Sequence, residues 1–333
     1  MTETNRALAS IKEITAINPI PNADAIACAV VGGGWPVVVK KGEFSVGDFA
    51  VYLEIDSWVP YELAPFLSKG KEPREFNGVK GERLRTIKLR GQLSQGLLLP
   101  YATMKRIVPK GEDVTEELGV QKWERPLPAC LRGMAKGNFP SWLRKTDQER
   151  VQNLAGKINW GAIYEITTKL DGSSMTIWFK DGDWGVCSRN IDLKLEQEGN
   201  TFVDMAKKVK GELTWPDGYA WQGELMGPGI QGNRENLTEH NFFVFDIWDI
   251  KEQRHLAPDV VRNLCEYYGL NHVPVLVYEL RLTDLCITSV DSALAYAEGP
   301  SINNPVREGV VFKSTDGQFS FKAISNIFLL KEQ

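Results

Sequence analysis

Short apolar and alternating segments fill the first hundred residues of the chain. The segments that show this pattern in residues 10–100 read IKEITAI, AIACAVV, WPVVVKK, DFAVYLEI, RLRTIKLR and GLLLPY. The turn signals between them are Asn18-Pro19, Gly32-Gly33-Gly34, Gly47-Asp48, Asn77-Gly78 and Gly91. Side chains that alternate with period two are typical of β-strands, and such regular turn spacing is typical of all-β folds. The pattern therefore predicts five or six strands that form a small closed or nearly closed barrel.

After the first hundred residues the sequence contains a mixed segment and then a second strand-rich part. Residues 106–160 are mixed and rich in Pro and Gly, which predicts a linker and packing segment between an N-terminal part, 1–105, and a C-terminal part, 161–333. The segment TDQERVQNLAG reads as a short helix that carries Arg150, with Thr146 or Asp147 as its N-cap. From Ala162 onward strands dominate, and helices are predicted at roughly 200–211, 257–269 and 291–298. The whole predicts an α+β fold.

One predicted strand concentrates positive charge. The segment KGERLRTIKLRG contains Lys80, Arg83, Arg85, Lys88 and Arg90. On a single strand, Arg83, Arg85 and Ile87 would share one face. Charge on an edge strand protects it from aggregation, so a solvated edge explains the pattern. A surface that contacts the phosphates of a nucleic acid explains it equally well, and the two interpretations stay open.

Composition excludes several classes of protein. The chain is 43% hydrophobic and 25% charged, with a net charge of −4, which is ordinary for a globular protein. Its five cysteines include no C-x-x-C pair and its three histidines have no metal-ligand spacing, so neither a disulfide framework nor a zinc site is expected. The start, MTETNRALAS, lacks a targeting signal and no apolar run could cross a bilayer, which predicts a cytoplasmic protein.

The segment TKLDGSSMTIW places a lysine two residues before an Asp-Gly turn. YEITTK before it and MTIWF after it alternate as strands do, so Lys169 and Asp171 would leave the first strand on one face. A β-hairpin with an exposed ion pair explains this arrangement. A nucleophilic lysine beside a carboxylate also explains it, and the motif alone does not decide between the two.

Further charged residues lie in or beside apolar strands downstream. These residues are Arg189, Glu224, Asp246, Glu308, Lys313 and Lys322. Each has a structural explanation when taken singly, such as an edge-strand ion pair or a lysine whose ammonium group reaches solvent. Together with Phe245 they supply acids, bases and an aromatic surface. That set suits the binding of a nucleoside triphosphate and the attack of a lysine on its α-phosphorus.

The order of these motifs resembles that of the covalent nucleotidyltransferases, the superfamily of polynucleotide ligases and mRNA capping enzymes. The matching positions are K-x-D-G from Lys169 to Gly172, Arg189, Glu224, Phe245 with Asp246, E-G-V-V-F-K from Glu308, and Lys322. The run GELMGPGIQGN is similar to that of the RNA ligase 2 family, and the N-terminal part resembles an OB-like module that precedes the catalytic domain in some RNA ligases. The similarity covers nearly the whole chain.

The resemblance implies an ATP-dependent RNA ligase with an N-terminal all-β OB-like barrel (1–105) and an adenylyltransferase domain of antiparallel sheets with flanking helices (161–333). Its reaction would join 3′-hydroxyl and 5′-phosphate ends through lysyl-AMP and RNA-adenylate. The substrate would be a nicked or broken RNA duplex and the protein a monomer. A DNA ligase, or a capping-type transferase that uses GTP, is one alternative; a non-catalytic OB-type nucleic-acid-binding protein is another. The chain ends at Gln333, which leaves no room for the C-terminal OB domain usual in the first alternative.

The resemblance also implies a role for each residue. Lys169 would be the nucleophile, Phe245 would stack on adenine, and Glu224 would also touch the ribose. Lys313 and Lys322 would neutralise charge on the phosphates, Arg189 would bind the donor phosphate, and Arg150 the leaving pyrophosphate. Asp171, Glu224 and Glu308 would hold Mg²⁺, or Mn²⁺ in its place, mostly through water. One departure is Ile324, where some ligases of the superfamily have a second lysine.

Overall fold

The computed structural model describes residues 7–124, 134–196 and 198–331. The chain folds into two units, each with its own core. Unit 1 comprises residues 1–126 and 329–333, and unit 2 comprises residues 127–328. The α+β fold class with an N-terminal barrel-type sheet is confirmed, whereas the boundaries at residues 105 and 160 stay a prediction.

Unit 1 is built from antiparallel strands. Its strands are β1 (Ala9–Pro19), β2 (Ile26–Val31), β3 (Trp35–Lys40), β4 (Phe49–Leu53), β5 (Ser57–Pro60), β6 (Arg74–Phe76), β7 (Val79–Arg83), β8 (Thr86–Leu89), β9 (Gln92–Gln95), β10 (Leu97–Pro100) and β11 (Gln121–Lys122). They form a five-stranded sheet in the order β10-β4-β1-β2-β3, a four-stranded sheet in the order β11-β5-β7-β6, and the β8-β9 hairpin. Apolar side chains such as Ile11, Leu53 and Trp35 are fully buried in its two core clusters.

The predicted basic strand of unit 1 is two strands. Pairing stops after Arg83, where β7 ends, and resumes at Thr86 in the β8–β9 hairpin. The prediction that Arg83, Arg85 and Ile87 share the face of one strand is therefore wrong. Arg83 Nη2 donates to Asp56 Oδ1 at 2.6 Å, and the guanidinium lies 3.8 Å from the Trp123 ring centroid. This fixed position withdraws Arg83 from any basic surface.

Unit 2 contains two sheets. Its strands are β12 (Ala135–Asn138), β13 (Glu149–Arg150), β14 (Ile163–Lys169), β15 (Ser173–Lys180), β16 (Asp183–Ser188), β17 (Ile191–Leu193), β18 (Tyr219–Met226), β19 (Asn241–Asp249), β20 (Arg254–His255), β21 (Asn271–His272), β22 (Val275–Arg281), β23 (Gly309–Ser314) and β24 (Ser320–Ile324). The larger sheet has the order β12-β17-β16-β15-β18-β19-β20, with β21 also paired to β19. The smaller sheet has the order β13-β24-β23-β14-β22.

Helices accompany the sheets of unit 2. The α-helices are α1 (Val151–Leu154), α2 (Thr201–Lys210), α3 (Pro258–Tyr268), α4 (Val290–Tyr296) and α5 (Asn326–Lys331). The three predicted longer helices correspond to α2, α3 and α4, and Pro258 and Gly269 bound α3 as helix start and stop signals do. The short helix predicted in TDQERVQNLAG is present as α1, but its predicted start is wrong, because α1 begins after Arg150 and this arginine, which pairs in β13, is its N-cap. No helix in the described part of the chain is long and apolar enough to cross a membrane.

The Asp-Gly turn does not close a hairpin. Strand β14 belongs to the smaller sheet and β15 to the larger one, so residues 170–172 carry the chain from one sheet to the other. The β-hairpin interpretation is wrong for this reason, and Lys169 stands at the crossing. The four cysteines in the described ranges, Cys28, Cys187, Cys265 and Cys286, are free, and Cys130 lies outside the described residues.

We predict that replacing His272 makes unit 2 less sensitive to acid. Burial lowers the pKa of His272 to about 4, with Lys313 as a further cause. Below pH 6.5 the unfolded chain takes up a proton that the folded imidazole does not, so stability falls between pH 6.5 and 4. The stability advantage of wild type over His272→Asn should shrink by about 2 kcal/mol between pH 7 and pH 4.5. Urea unfolding at both pH values measures it, and parallel pH profiles would contradict the prediction.

Candidate active site

Strand register places the basic residues of the smaller sheet on one face. Lys169 pairs with Gly309, and residues 167 and 165, which point the same way, pair with Val311 and Lys313. Val311 in turn pairs with Lys322, and Lys322 with Arg150 of β13. Paired residues share a face, as do residues two apart on a strand. Lys169, Lys313, Lys322 and Arg150 therefore line the same face of the sheet.

The opposite face of that sheet is core. Ile166, Phe312 and Phe321 are fully buried there and pack with residues of α1 and α4. Gly309 permits the close approach of β23 to β24, because a Cβ at this position would collide with the carbonyl oxygen of Ala323. The apolar face thus fixes the sheet, and the sheet fixes the spacing of the charged groups on its other side.

Lys169 forms an ion pair with Glu308. Its Nζ donates to Glu308 Oε2 at 2.7 Å, and the two side chains are 23% and 16% exposed. Burial disfavours the ammonium form, but the charges of Glu308, Glu224 and Asp171 outweigh that effect and raise the pKa of Lys169. Lys169 is thus an ammonium held among three carboxyl groups, and these are the three acids that the sequence motifs predict. Its ion-pair partner differs from the one that the motif suggests, because Lys169 pairs with Glu308 and not with Asp171.

The turn after Lys169 is held against strand β18. The amide of Gly172 donates to Glu224 Oε1 at 3.0 Å. A Cβ at Gly172 would lie 2.5 Å from the carbonyl oxygen of Leu225, so only glycine fits. Burial raises the pKa of Glu224 to about 8, and the neighbouring Glu308 and Asp171 contribute to the rise. Burial is the largest cause of this rise, and the charge of Lys169 acts against it.

Asp171 has a partner that the sequence pattern does not reveal. Its Oδ2 forms a salt bridge with Arg234 Nε at 3.0 Å, and the Arg234 guanidinium also lies 4.5 Å from the Phe328 ring centroid. Arg234 directly follows the glycine-rich run GELMGPGIQGN, so that run delivers it to the turn. No spacing rule links residues 171 and 234. The position of Arg234 directly after the run GELMGPGIQGN is the one sequence feature that points to its place near the turn.

Phe245 occupies a β-bulge of the larger sheet. Gln222 pairs with Asp246 and Gly223 with Val244, which leaves Phe245 as the extra residue of β19. Its half-buried ring packs in a small cluster that includes Leu170, the residue between the nucleophile candidate and Asp171. The bulge thus brings an aromatic ring to the turn that carries Lys169.

Lys313 connects the two sheets. Its Nζ donates to Asp246 Oδ1 at 2.8 Å and to the carbonyl oxygen of Phe245. The side chains of Lys313 and Asp246 are only 4% and 11% exposed. A buried charge needs such pairing to be tolerated, so this contact ties the bulge to strand β23.

Arg150 and Arg189 have different surroundings. Arg150 is buried, with only 6% of its surface exposed. Arg189 lies on the surface, where Nη2 donates to both carboxylate oxygens of Asp147 at 2.8 Å. Asp147 and Thr146 therefore do not cap a helix, since Thr146 bonds instead to the hydroxyl of Ser174 at 2.7 Å.

Comparison with solved structures identifies the family. An apo mutant of Naegleria gruberi RNA ligase is 44% identical, each chain covers 97% of the other, and the TM-score is 0.87. A mutant of that enzyme with ATP and Mn is 43% identical over 98% of this chain and 99% of the other, with a TM-score of 0.88. The chain belongs to the RNA ligase family. This enzyme resembles the same ligase with PPi to a similar degree, at 43% identity over 98% of each chain and a TM-score of 0.87.

The family models agree with this assignment for the enzyme. A model described as RNA ligase matches residues 162–324, and a model described as an OB-fold domain matches residues 8–101. A search of curated protein sequences gives no match. Among the interpretations that the sequence left open, the RNA ligase is confirmed, and the DNA ligase, the capping-type transferase and the non-catalytic binding protein are not supported.

The carboxylates of this RNA ligase fit a hydrated divalent cation. In the described ranges, no three His, Cys, Asp or Glu side chains are arranged to ligate an ion directly. Asp171, Glu224 and Glu308 nevertheless supply hard oxygen donors around the Lys169 ammonium. Mg²⁺ retains much of its hydration shell, so such a set can hold it through water.

We predict that breaking the ion pair between the sheets destabilises the enzyme strongly. Asp246→Ala leaves the Lys313 ammonium buried without its carboxylate, which should lower the free energy of unfolding by about 3–5 kcal/mol. A double variant, Asp246→Ala with Lys313→Met, removes the stranded charge and should recover part of the loss. Urea unfolding of unit 2, followed by tryptophan fluorescence, measures both. A double variant no more stable than Asp246→Ala would contradict the prediction.

Proposed function

We infer that the protein is an ATP-dependent RNA ligase that joins a 3′-hydroxyl end to a 5′-phosphate end through lysyl-AMP and RNA-adenylate. The observation that supports this function most directly is the placement of Lys169 at the crossing between the sheets, 2.7 Å from Glu308 and among three carboxylates. The ATP and Mn complexes of the similar Naegleria enzyme support the use of ATP and a divalent cation. Mg²⁺ is the expected metal, with Mn²⁺ as its alternative.

Lys169 is the nucleophile of the first step. Its Nζ forms a bond to the α-phosphorus of ATP as the bond to the pyrophosphate oxygen breaks. The ammonium must first lose a proton, and Glu308 Oε2 is the hydrogen-bond acceptor that the structure offers at 2.7 Å. Asp171, Glu224 and Glu308 would hold a divalent cation, whose positive charge would lower the pKa of Lys169 and stabilise negative charge on the phosphate oxygens.

The remaining residues bind and orient the substrates. Lys322 contacts the phosphates and Arg150 the leaving pyrophosphate, and the face that both share with Lys169 supports these roles. Phe245 stacks on adenine from the bulge beside the Asp-Gly turn, and Glu224 contacts the ribose. Arg189 exchanges its surface contact with Asp147 for the donor 5′-phosphate. Lys313 can neutralise charge on the phosphates only if it leaves Asp246. In the structure its hydrogen bond to Asp246 joins the two sheets.

The finer properties of the enzyme are also proposals. Its substrate is RNA with a nick or break in a duplex, it acts as a monomer in the cytoplasm, and residues 106–160 connect an OB-like barrel to the adenylyltransferase domain. The OB-fold match supports engagement of the strand that bears the 3′-hydroxyl, since such folds commonly bind single strands.

Lys169→Ala should abolish adenylylation because it removes the amine that stands at the crossing of the sheets. The measurement is retention of label on denatured protein after incubation with ATP labelled at the α-phosphate and a divalent cation. The matched control is Lys180→Ala, which removes a surface lysine from the next strand and should label as wild type does. A Lys169→Ala protein that labels as well as wild type sinks the nucleophile assignment.

The same variant separates the early steps from the last one. Supplied with pre-adenylylated RNA, Lys169→Ala should retain far more sealing than with ATP and 5′-phosphate RNA, because AMP no longer passes through the lysine. Equal loss with both substrates would exclude a role confined to adenylyl transfer.

Substrate preference can be read from a set of matched RNAs. We expect a nicked duplex to be sealed at lower enzyme concentration than the same two strands without a complementary strand. Ribose and deoxyribose at each side of the break identify which end the enzyme inspects. Preferential sealing of free single strands would contradict the proposal of duplex repair.

A further inference from the structure

The hairpin β8–β9 of unit 1 has an anchored base. Thr86, Ser94 and Gln95 are only 3%, 3% and 1% exposed, and the Ser94 hydroxyl accepts from the amide of Val38 in β3 at 3.0 Å. Strand pairing runs from Thr86 with Gln95 to Leu89 with Gln92. Because its base is buried and hydrogen-bonded, the ribbon presents its tip in a defined orientation.

The tip of the hairpin is exposed and its turn is well formed. Arg90 and Gly91 occupy the two turn positions with φ angles of 49° and 84°, the signs that a type I′ turn requires. Ile87 and Leu89 are 41% and 40% exposed, and Lys88 between them is exposed as well. Apolar and cationic side chains therefore alternate along the β8 edge and lead into the cationic turn.

Positive charge in residues 84–104 is not compensated within this stretch. It contains no Asp or Glu. Arg85, Lys88 and Arg90 are exposed and form no ion pair with any residue that the structure describes. Other surface cations of the same unit do have carboxylate partners, such as Lys80 with Glu72 and Lys110 with Glu13.

We propose that the β8–β9 hairpin is an RNA-binding arm in which Arg85, Lys88 and Arg90 contact substrate phosphates and Ile87 and Leu89 rest on ribose or base surfaces. The proposal rests on the proposed function, which supplies the polyanion. A chain with a net charge of −4 gains affinity for RNA only where positive charge is local, and this ribbon provides it. Exposed apolar groups beside the cations match the apolar faces that lie between phosphates.

The test removes the three cations and measures the salt dependence of RNA binding. The variant is Arg85→Gln, Lys88→Gln, Arg90→Asn; asparagine tolerates the positive φ of the turn. The control is Lys41→Gln, Lys71→Gln, Lys110→Gln, which changes the net charge of the unit equally at exposed positions elsewhere. Each phosphate contact contributes about 0.7 to the slope of log K against log salt for a single strand and about 0.9 for a duplex.

In the hairpin variant, the slope of log K against log salt should be shallower by about 2 with single-stranded 5′-phosphate RNA and by nearly 3 with nicked duplex RNA. The control should retain the wild-type slope. Both should take AMP from ATP at the wild-type rate, because that step requires no RNA. Lys88→Gln alone should lower the slope by about 0.7–0.9, which provides a second measurement that does not depend on the folding of the triple variant.

The outcomes separate this proposal from the proposed function. Equal slopes in the hairpin variant and wild type, with adenylylation intact in both, overturn the RNA-binding arm alone. An equal loss in the control also overturns it, because the effect would then follow net charge and not the hairpin. A wild-type protein that takes no AMP from ATP overturns the ligase function, whatever the slopes.

Discussion

The passage of the chain between two sheets is the constraint on which the site depends. Strand β14 ends at Lys169 and β15 begins at Ser173 in the other sheet, so three residues make the crossing. Gly172 touches β18 where no Cβ fits, and its amide bonds to Glu224. The lysine thus stands at the end of a strand whose other face is buried core, and a carboxylate of the second sheet fixes the turn behind it.

The same crossing between the sheets determines which charged groups surround Lys169. Three carboxylates surround one ammonium, which raises the pKa of Lys169, and the pKa of Glu224 is raised as well by burial and by the other two acids. An amine with a raised pKa is a poor nucleophile. The three carboxyl groups therefore stabilise the ammonium form of Lys169 and oppose its attack on phosphorus. A divalent cation held by these carboxyl groups would supply positive charge that lowers the pKa of Lys169.

The sequence indicates local structure well and partners across the fold poorly. The start and stop signals of α3, Pro258 and Gly269, act within the helix and its flanks, so they can be read directly. The salt bridge between Asp171 and Arg234 depends on the path of the loop that follows β18. The bulge at Phe245 arises from a mismatch in pairing between β18 and β19, which leaves no mark in the alternation of β19 alone.

Ile324 shows how register decides the meaning of a single departure. It pairs with Gly309, which pairs with Lys169, so an apolar side chain lies on the face of the nucleophile where some ligases of the superfamily have a lysine. Ile324 is only 4% exposed, and an ammonium there would be buried beside Gly309. A second cation at that point would oppose the ammonium form of Lys169. Its absence leaves Lys322, two residues earlier on the same face, as the cation that this strand presents beside Lys169.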